Sequence, residues 1–278
     1  STNVADGQVA VFTPIALDHQ NRLGSTVAEI ARTRPGVVFA PHVETSAGLI
    51  LPDDYIAALA QAVHEVGGLM VLDCIASGAV WADMKALGVD VLISAPQKGW
   101  SASPAAGLVM FSARALERLE KTTSDSFALD LKKWRAIMKA YEDGGHAYHA
   151  TMPTDALVVL RDAMVETREM GFEAARAAQW DLGRKVRAVL AERGFRSVAA
   201  DGFAAPGVVV SYTDDPDIRN GRKFAEKGMQ IAAGVPLQVG EGAEFSTFRL
   251  GLFGLDKLKD VDGTVARFTR VLDEVLEG

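Results

Sequence analysis

Cysteine is all but absent from this chain of 278 residues. Cys74 stands alone, so no internal disulfide and no cysteine-based metal cluster can form. No run of about 18 apolar residues exists to cross a bilayer. The first residues, Ser-Thr-Asn-Val-Ala-Asp, lack the basic and then apolar order of a secretory signal. A basic excess is missing too: 29 Lys and Arg stand against 36 Asp and Glu, a net charge of −7 with the two signs interspersed. That balance argues against a nucleic-acid partner and against a membrane surface as partner, and with the lone cysteine it makes the cytoplasm the expected compartment. Internal repeats and low-complexity tracts are also missing. What remains, 49% hydrophobic and 23% charged residues, describes a folded chain with one large domain, or a large one and a small one.

From residue 24 onward helix-like and strand-like segments alternate, which predicts an α/β fold with a mostly parallel sheet flanked by helices. Ser25 to Arg34 reads as a short helix and Val37 to Ala40 as a buried strand. After Leu51-Pro52-Asp53-Asp54, residues Ile56, Leu59, Ala60 and Val63 recur at helical spacing until Gly67-Gly68. Leu69 to Leu72 is the continuous apolar run of a central strand, with Asp73 at its carboxyl end. A short helix over Ala82 to Leu87, strands over Val89 to Ser94 and Gly107 to Phe111, and a helix over Ala113 to Lys121 are expected next. Thr122 to Pro153 reads as irregular apart from a helix around Leu131 to Tyr141. Helices from Thr154 to about Arg193, interrupted at Gly171, link this part to a smaller C-terminal α+β unit. That unit holds strand Val208 to Ser211, helix Pro216 to Lys227, strands Met229 to Ala232 and Thr247 to Leu250, and a closing helix. The closing helix sets Val261, Val265, Phe268, Leu272 and Val275 on one stripe. The expected domains are therefore 1–153, a linker at 154–193, and 194–278.

In open α/β sheets ligands sit outside the carboxyl ends of the strands, and the loops after residues 40, 73 and 95 converge there. Two of them carry Asp73 and Lys98, twenty-five positions apart. Spacing alone leaves three readings open. They are a buried ion pair, an exposed loop lysine, and a pyridoxal phosphate site in which lysine bonds the cofactor and aspartate holds the pyridine nitrogen. His146 and His149 stand three apart, but no carboxylate follows them in a metal-site pattern, so no metal is expected. Cys74 reads as packing, and His42 and Glu44 as supporting groups.

The local sequences choose among the readings. His42-Val43-Glu44-Thr45-Ser46-Ala47-Gly48, Val71-Leu72-Asp73-Cys74-Ile75-Ala76-Ser77-Gly78 and Gly88 through Ser94-Ala95-Pro96-Gln97-Lys98-Gly99, then Tyr148-His149-Ala150-Thr151-Met152-Pro153 and Phe248-Arg249-Leu250-Gly251, together resemble the class V aminotransferases of fold type I. The likeness is strongest to the alanine–glyoxylate and serine–glyoxylate enzymes. The resemblance implies pyridoxal 5′-phosphate as cofactor, with Lys98 forming the Schiff-base link and shuttling a proton, and Asp73 pairing with the ring nitrogen. It also implies that Thr45 contacts the ring substituents, Ile75 packs on a ring face, and Gln97 donates to the phosphate. Tyr148 and Thr151 match side chains that reach the phosphate of a neighbouring subunit, which implies a homodimer with a shared active site. Arg249 matches the arginine that binds the substrate carboxylate, a role its planar fork suits.

Two departures matter. Ala47 stands where the family commonly has threonine. The matched segment also begins where about the amino-terminal third of the family's usual chain would have ended, so the large domain reads as N-terminally incomplete. The missing third usually carries the glycine turn that cradles the phosphate, and Gly7 and Gly24 are isolated. The expected activity is transamination between alanine or serine and glyoxylate or pyruvate. The alternatives are a phosphonate transaminase, a lyase, or a truncated non-catalytic homologue. Trp100 is expected to face a partner subunit.

Overall fold

The structure, a computed structural model of the chain, describes residues 9–11 and 36–277. The expected helix over Ser25 to Arg34, with Gly7 and Gly24, lies outside them. β1 (Val9–Val11) and β2 (Val37–Pro41) run parallel. A short hairpin, β3 (Val43–Glu44) and β4 (Leu49–Ile50), leads into α1 (Asp53–Glu65). That helix forms where the sequence places it. Asp53 and Asp54 in its first turn suit the positive end of the helix dipole, and Ile56, Leu59, Ala60 and Val63 are buried along one face. β5 (Leu69–Asp73), β6 (Val91–Ser94) and β7 (Leu108–Phe111) complete a five-stranded sheet of order β1-β2-β5-β6-β7. All of its pairings are parallel except β6 with β7. Met70 and Leu72 of β5 pack with Ile56 and Leu59 of α1. Each side chain contributes roughly 2 kcal/mol by leaving water.

α2 (Ala113–Glu120), α3 (Leu131–Glu142), α4 (Thr154–Met170) and α5 (Phe172–Glu192) follow. The expected break at Gly171 falls between α4 and α5, where φ is 90°. A second layer is built from β8 (Val208–Tyr212), α6 (Pro216–Arg219), α7 (Arg222–Glu226), β9 (Ala232–Ala233), β10 (Thr247–Gly251), α8 (Leu255–Lys259) and α9 (Val261–Glu277). Its sheet has the order β8-β10-β9 and is antiparallel. Its core gathers Leu182, Leu190, Phe224, Phe248, Leu272 and Val275. The α9 stripe is buried at Phe268, Leu272 and Val275, and Val271 joins it.

Three local expectations are corrected. Residues 82–87 form a turn, not a helix: the Asp83 carboxylate accepts the Lys85 and Ala86 amides, and Gly88, at φ 69°, closes the turn after one revolution. The helix expected from Pro216 to Lys227 is two, parted at Asn220 and by Gly221 in the left-handed region. The strand expected at Met229 to Ala232 is found instead at Ala232–Ala233, overlapping the expectation at Ala232 alone, because those are the residues that pair with β10.

At the amino edge of the large sheet the buried carboxylate of Asp90 ties three elements. It lies 2.7 Å from Nε2 of His64 at the end of α1, accepts the Met70 amide of β5 at 2.9 Å, and accepts the Ser112 hydroxyl before α2 at 3.0 Å.

Candidate active site

At the opposite, carboxyl edge, Pro41, Asp73 and Ile93 stand abreast on β2, β5 and β6. The His42 amide donates to the Asp73 carbonyl and the Cys74 amide to the Ile93 carbonyl, each at 2.8 Å. The three motif loops therefore leave the sheet side by side, as their sequences imply. Asp73 is half-buried, and its Oδ1 accepts the Ile75 amide at 2.9 Å. Among the described residues Oδ2 has no hydrogen-bond partner. Beneath it His42 is fully buried, with Nδ1 2.8 Å from Ser77 Oγ and 3.9 Å from Cys74 Sγ. Burial lowers the imidazole pKa to about 4 and raises the Cys74 thiol to about 12. Both are neutral at physiological pH, so Cys74 is packing rather than a nucleophile.

Lys98 is half-buried in the turn after β6. Among the described residues its amine makes no ion pair, so neither the bland Asp73–Lys98 salt bridge nor a fully exposed lysine describes it. Nζ lies 5.5 Å from the centre of the Phe253 ring, a distance at which the ring face attracts an ammonium. Gly99 lets this turn sit against the Asp73 loop, because a Cβ there would overlap the carbonyl oxygen of Gly78. Trp100 lies against Trp81 of the same chain, ring centres 5.0 Å apart, and Trp81 meets Phe172 at the start of α5.

Arg249 sits on β10, where Nε donates to the Ala233 carbonyl at 2.8 Å. That bond orients the fork, and among the described residues its outer nitrogens make no hydrogen bond. Thr45 is half-buried in the β3–β4 turn, Ile75 is half-buried, and the Gln97 side chain is exposed. Tyr148 and Thr151 are bonded to each other, hydroxyl oxygens 3.2 Å apart, on an exposed segment. No hydrogen bond among the described residues joins them or Gln97 to Asp73 or Lys98. The structure thus brings Asp73, Ile75 and Lys98 to one edge, and sets Tyr148 and Thr151 on an outward face. His149 does not pair with His146: its Nε2 is 2.8 Å from the Phe127 carbonyl, and its ring packs on Phe127 and Trp134.

Sequence reasoning missed three supporting groups. Phe253 stands two residues beyond the Phe248–Gly251 motif, and that proximity was the available signal. Gln179 is buried and donates to the carbonyls of Pro206 and Leu252 at 3.2 Å each, holding the corner that carries Phe253. Arg187 donates through Nη2 to the carbonyls of Ala205 and Val208, and more weakly to Gly48. It thereby ties the turn bearing Thr45 to the start of β8, and burial lowers its pKa to about 10. Nothing in a one-dimensional pattern distinguishes either from an ordinary helix residue.

The donor set fits pyridoxal phosphate. Among the described residues, a carboxylate oxygen with no hydrogen-bond donor and a primary amine with no anionic partner share one edge, which is what a pyridinium nitrogen and an aldehyde carbon require.

The sequence model for the aminotransferase class-V family matches residues 3–234. A 2-aminoethylphosphonate–pyruvate transaminase from Paraburkholderia phymatum is 32% identical over 237 residues, covering 83% of this chain and 60% of that protein. Another from Burkholderia pseudomallei (strain 668) is 31% identical, covering 97% and 71%. The chain thus spans less than two thirds of the first of these relatives. Among solved structures, an alanine–glyoxylate aminotransferase from Nostoc sp. superposes with a TM-score of 0.80 at 22% identity, covering 98% of this chain and 76% of that one. An aspartate aminotransferase from Thermus thermophilus superposes at 0.73 with 27% identity, covering 90% and 68%.

Proposed function

The chain belongs to the aminotransferase class-V family, and from that premise we propose that it is a pyridoxal-phosphate-dependent transaminase moving an amino group between a small amine donor and a 2-oxo acid. The observation that supports the reading is the carboxyl edge of the large sheet, which carries both Asp73, with Oδ2 unpartnered among the described residues, and the turn that bears Lys98. When bound, the cofactor supplies an aldehyde that carries the amino group and a ring that takes up the electron pair released at the donor's α-carbon.

In this reading Asp73 holds a proton at the ring nitrogen, and Ile75 packs on the ring. Thr45 meets the ring substituents, and Gln97 donates to the phosphate. Lys98 anchors the aldehyde carbon and, once displaced by the donor, moves a proton through Nζ. Arg249 grips the anionic end of donor and acceptor with the nitrogens that Ala233 leaves free. Tyr148 and Thr151, pointing outward, serve the phosphate of a second copy, so the working unit is a homodimer. The proposed partition is a cofactor-binding domain at 1–153, linking helices at 154–193 and a small domain at 194–278, in a cytoplasmic protein.

The motifs favour alanine or serine as donor and glyoxylate or pyruvate as acceptor. The named relatives favour a second donor, 2-aminoethylphosphonate with pyruvate, whose phosphonate the Arg249 fork would also accept. Adding pyridoxal phosphate to the purified protein, reducing with borohydride and mapping the adduct tests the premise, with modification expected at Lys98. No adduct there would leave a non-catalytic homologue as the description. Offering alanine, serine and 2-aminoethylphosphonate in turn, and measuring the oxo product, ranks the donors.

A further inference from the structure

Among the described residues only Ser101 and Gln238 hold a positive φ without being glycine. Ser101, at 59°, lies three positions beyond Lys98. Its amide donates to the Lys98 carbonyl at 3.1 Å, and the Ala102 amide to the Pro96 carbonyl at 3.0 Å, so the left-handed residue closes the turn that presents the lysine. Side-chain-bearing residues rarely adopt this conformation unless other contacts hold it. Here the holding contact is on the page. Ser101 Oγ accepts the amide N–H of Leu255, 154 residues away, at 2.7 Å.

Leu255 is the first residue of α8, and its cap, Gly254, has no side chain with which to satisfy the amides that begin a helix. The serine hydroxyl supplies from a distant loop what the local sequence omits. The same few residues carry Arg249 on β10, Phe253 beside the Lys98 amine and the bonded Leu255 amide. The lysine turn and the arginine strand are therefore joined at two points, ring to amine and hydroxyl to amide.

We propose that Ser101 is a positioning residue, a latch that fixes the Lys98 amine relative to the β10–α8 corner and hence to Arg249. The proposal rests on the transaminase reading for its consequence, but not for its existence. Loss of the latch lets residue 101 relax and turns the Lys98 carbonyl, and with it the amine, away from Phe253. Ser101→Gly allows the left-handed conformation without strain but removes the acceptor that holds it. Ser101→Asn keeps both, since asparagine tolerates this region and carries an oxygen.

The first readout needs no cofactor: hydrogen exchange at the Leu255 amide. Protection is expected in the wild type, a rise of about tenfold in Ser101→Gly, and recovery in Ser101→Asn. The second is the pH midpoint of the visible absorption band of the loaded protein. It should shift in Ser101→Gly and return in Ser101→Asn, with kcat falling about tenfold while KM for the oxo acid stays near its original value. An unprotected Leu255 amide in the wild type overturns the latch without any substitution. So does a Ser101→Gly protein whose exchange and pH midpoint match the wild type. Failure of Lys98 to take up the cofactor in the wild type would instead remove the transaminase reading, leaving amide exchange to decide the latch on its own.

Discussion

At the scale of single residues the most consequential group under the proposed site is His42. Its imidazole is buried against Ser77 and Cys74, and its pKa falls from 6.5 to about 4, chiefly through burial, with Asp53 opposing and Arg176 adding to the shift. The unfolded chain binds a proton at this histidine below pH 6.5 while the folded chain refuses it until about pH 4. Stability is therefore fully present above the unfolded value and is lost as pH falls through that window, by roughly 3 kcal/mol at the limit. Urea unfolding midpoints measured between pH 4 and pH 7 should decline on the acid side. His42→Asn should flatten the decline while lowering the midpoint at pH 7, and an unchanged pH profile in that variant would refute the assignment.

Among the secondary-structure elements, those whose apolar spacing and end signals agree were legible. α1 has acids at its start and glycines at its stop, α9 has its stripe, and β5 is an unbroken apolar run ending in Asp73. Residues 82–87 were misread because the Asp83 carboxylate bonds its own turn and Gly88 ends it early, a local competition that apolar spacing does not register. The α4–α5 junction shows the reverse case, a break visible as one glycine. At φ 90° Gly171 sits where L side chains are strained, so Gly171→Ala should cost about 1–2 kcal/mol. Thermal unfolding checks this, and a variant with the parent's Tm would mean that α4 and α5 tolerate another junction. Of the site, the strand-end positions could be read because parallel sheets deliver loop residues to one edge. The Phe253 and Ser101 contacts could not, because each depends on the second sheet meeting the first.

For the whole molecule the informative surface is the one that α3 leaves open. That helix buries none of its residues. Met138 on it is 62% exposed, and the neighbouring stretches leave Phe127 64%, Leu129 73% and Tyr148 76% exposed. Apolar exposure on this scale marks an interaction surface, and the proposed homodimer places a second copy there, with Tyr148 and Thr151 crossing to its cofactor. Sedimentation at micromolar concentration should show a dimer. Met138→Glu should weaken association about tenfold or more and lower the affinity for pyridoxal phosphate in parallel. A protein that sediments as a monomer yet binds the cofactor at full strength would refute the shared site.

The Asp90 anchor at the far edge of the large sheet bears on how such a protein can change. It fastens α1, β5 and the start of α2 at the edge of the sheet opposite the one that carries Asp73 and the Lys98 turn. Loops at the carboxyl edge can therefore be lengthened, shortened or exchanged without loosening the frame. A library meant to alter the proposed donor preference should leave His64, Met70, Asp90, Ser112 and the Ser101 latch untouched and spend its diversity on residues 102–106 and 234–242. Under the proposed function, the freedom of this chain to acquire new substrates depends on how firmly it is tied at the amino edge of its large sheet.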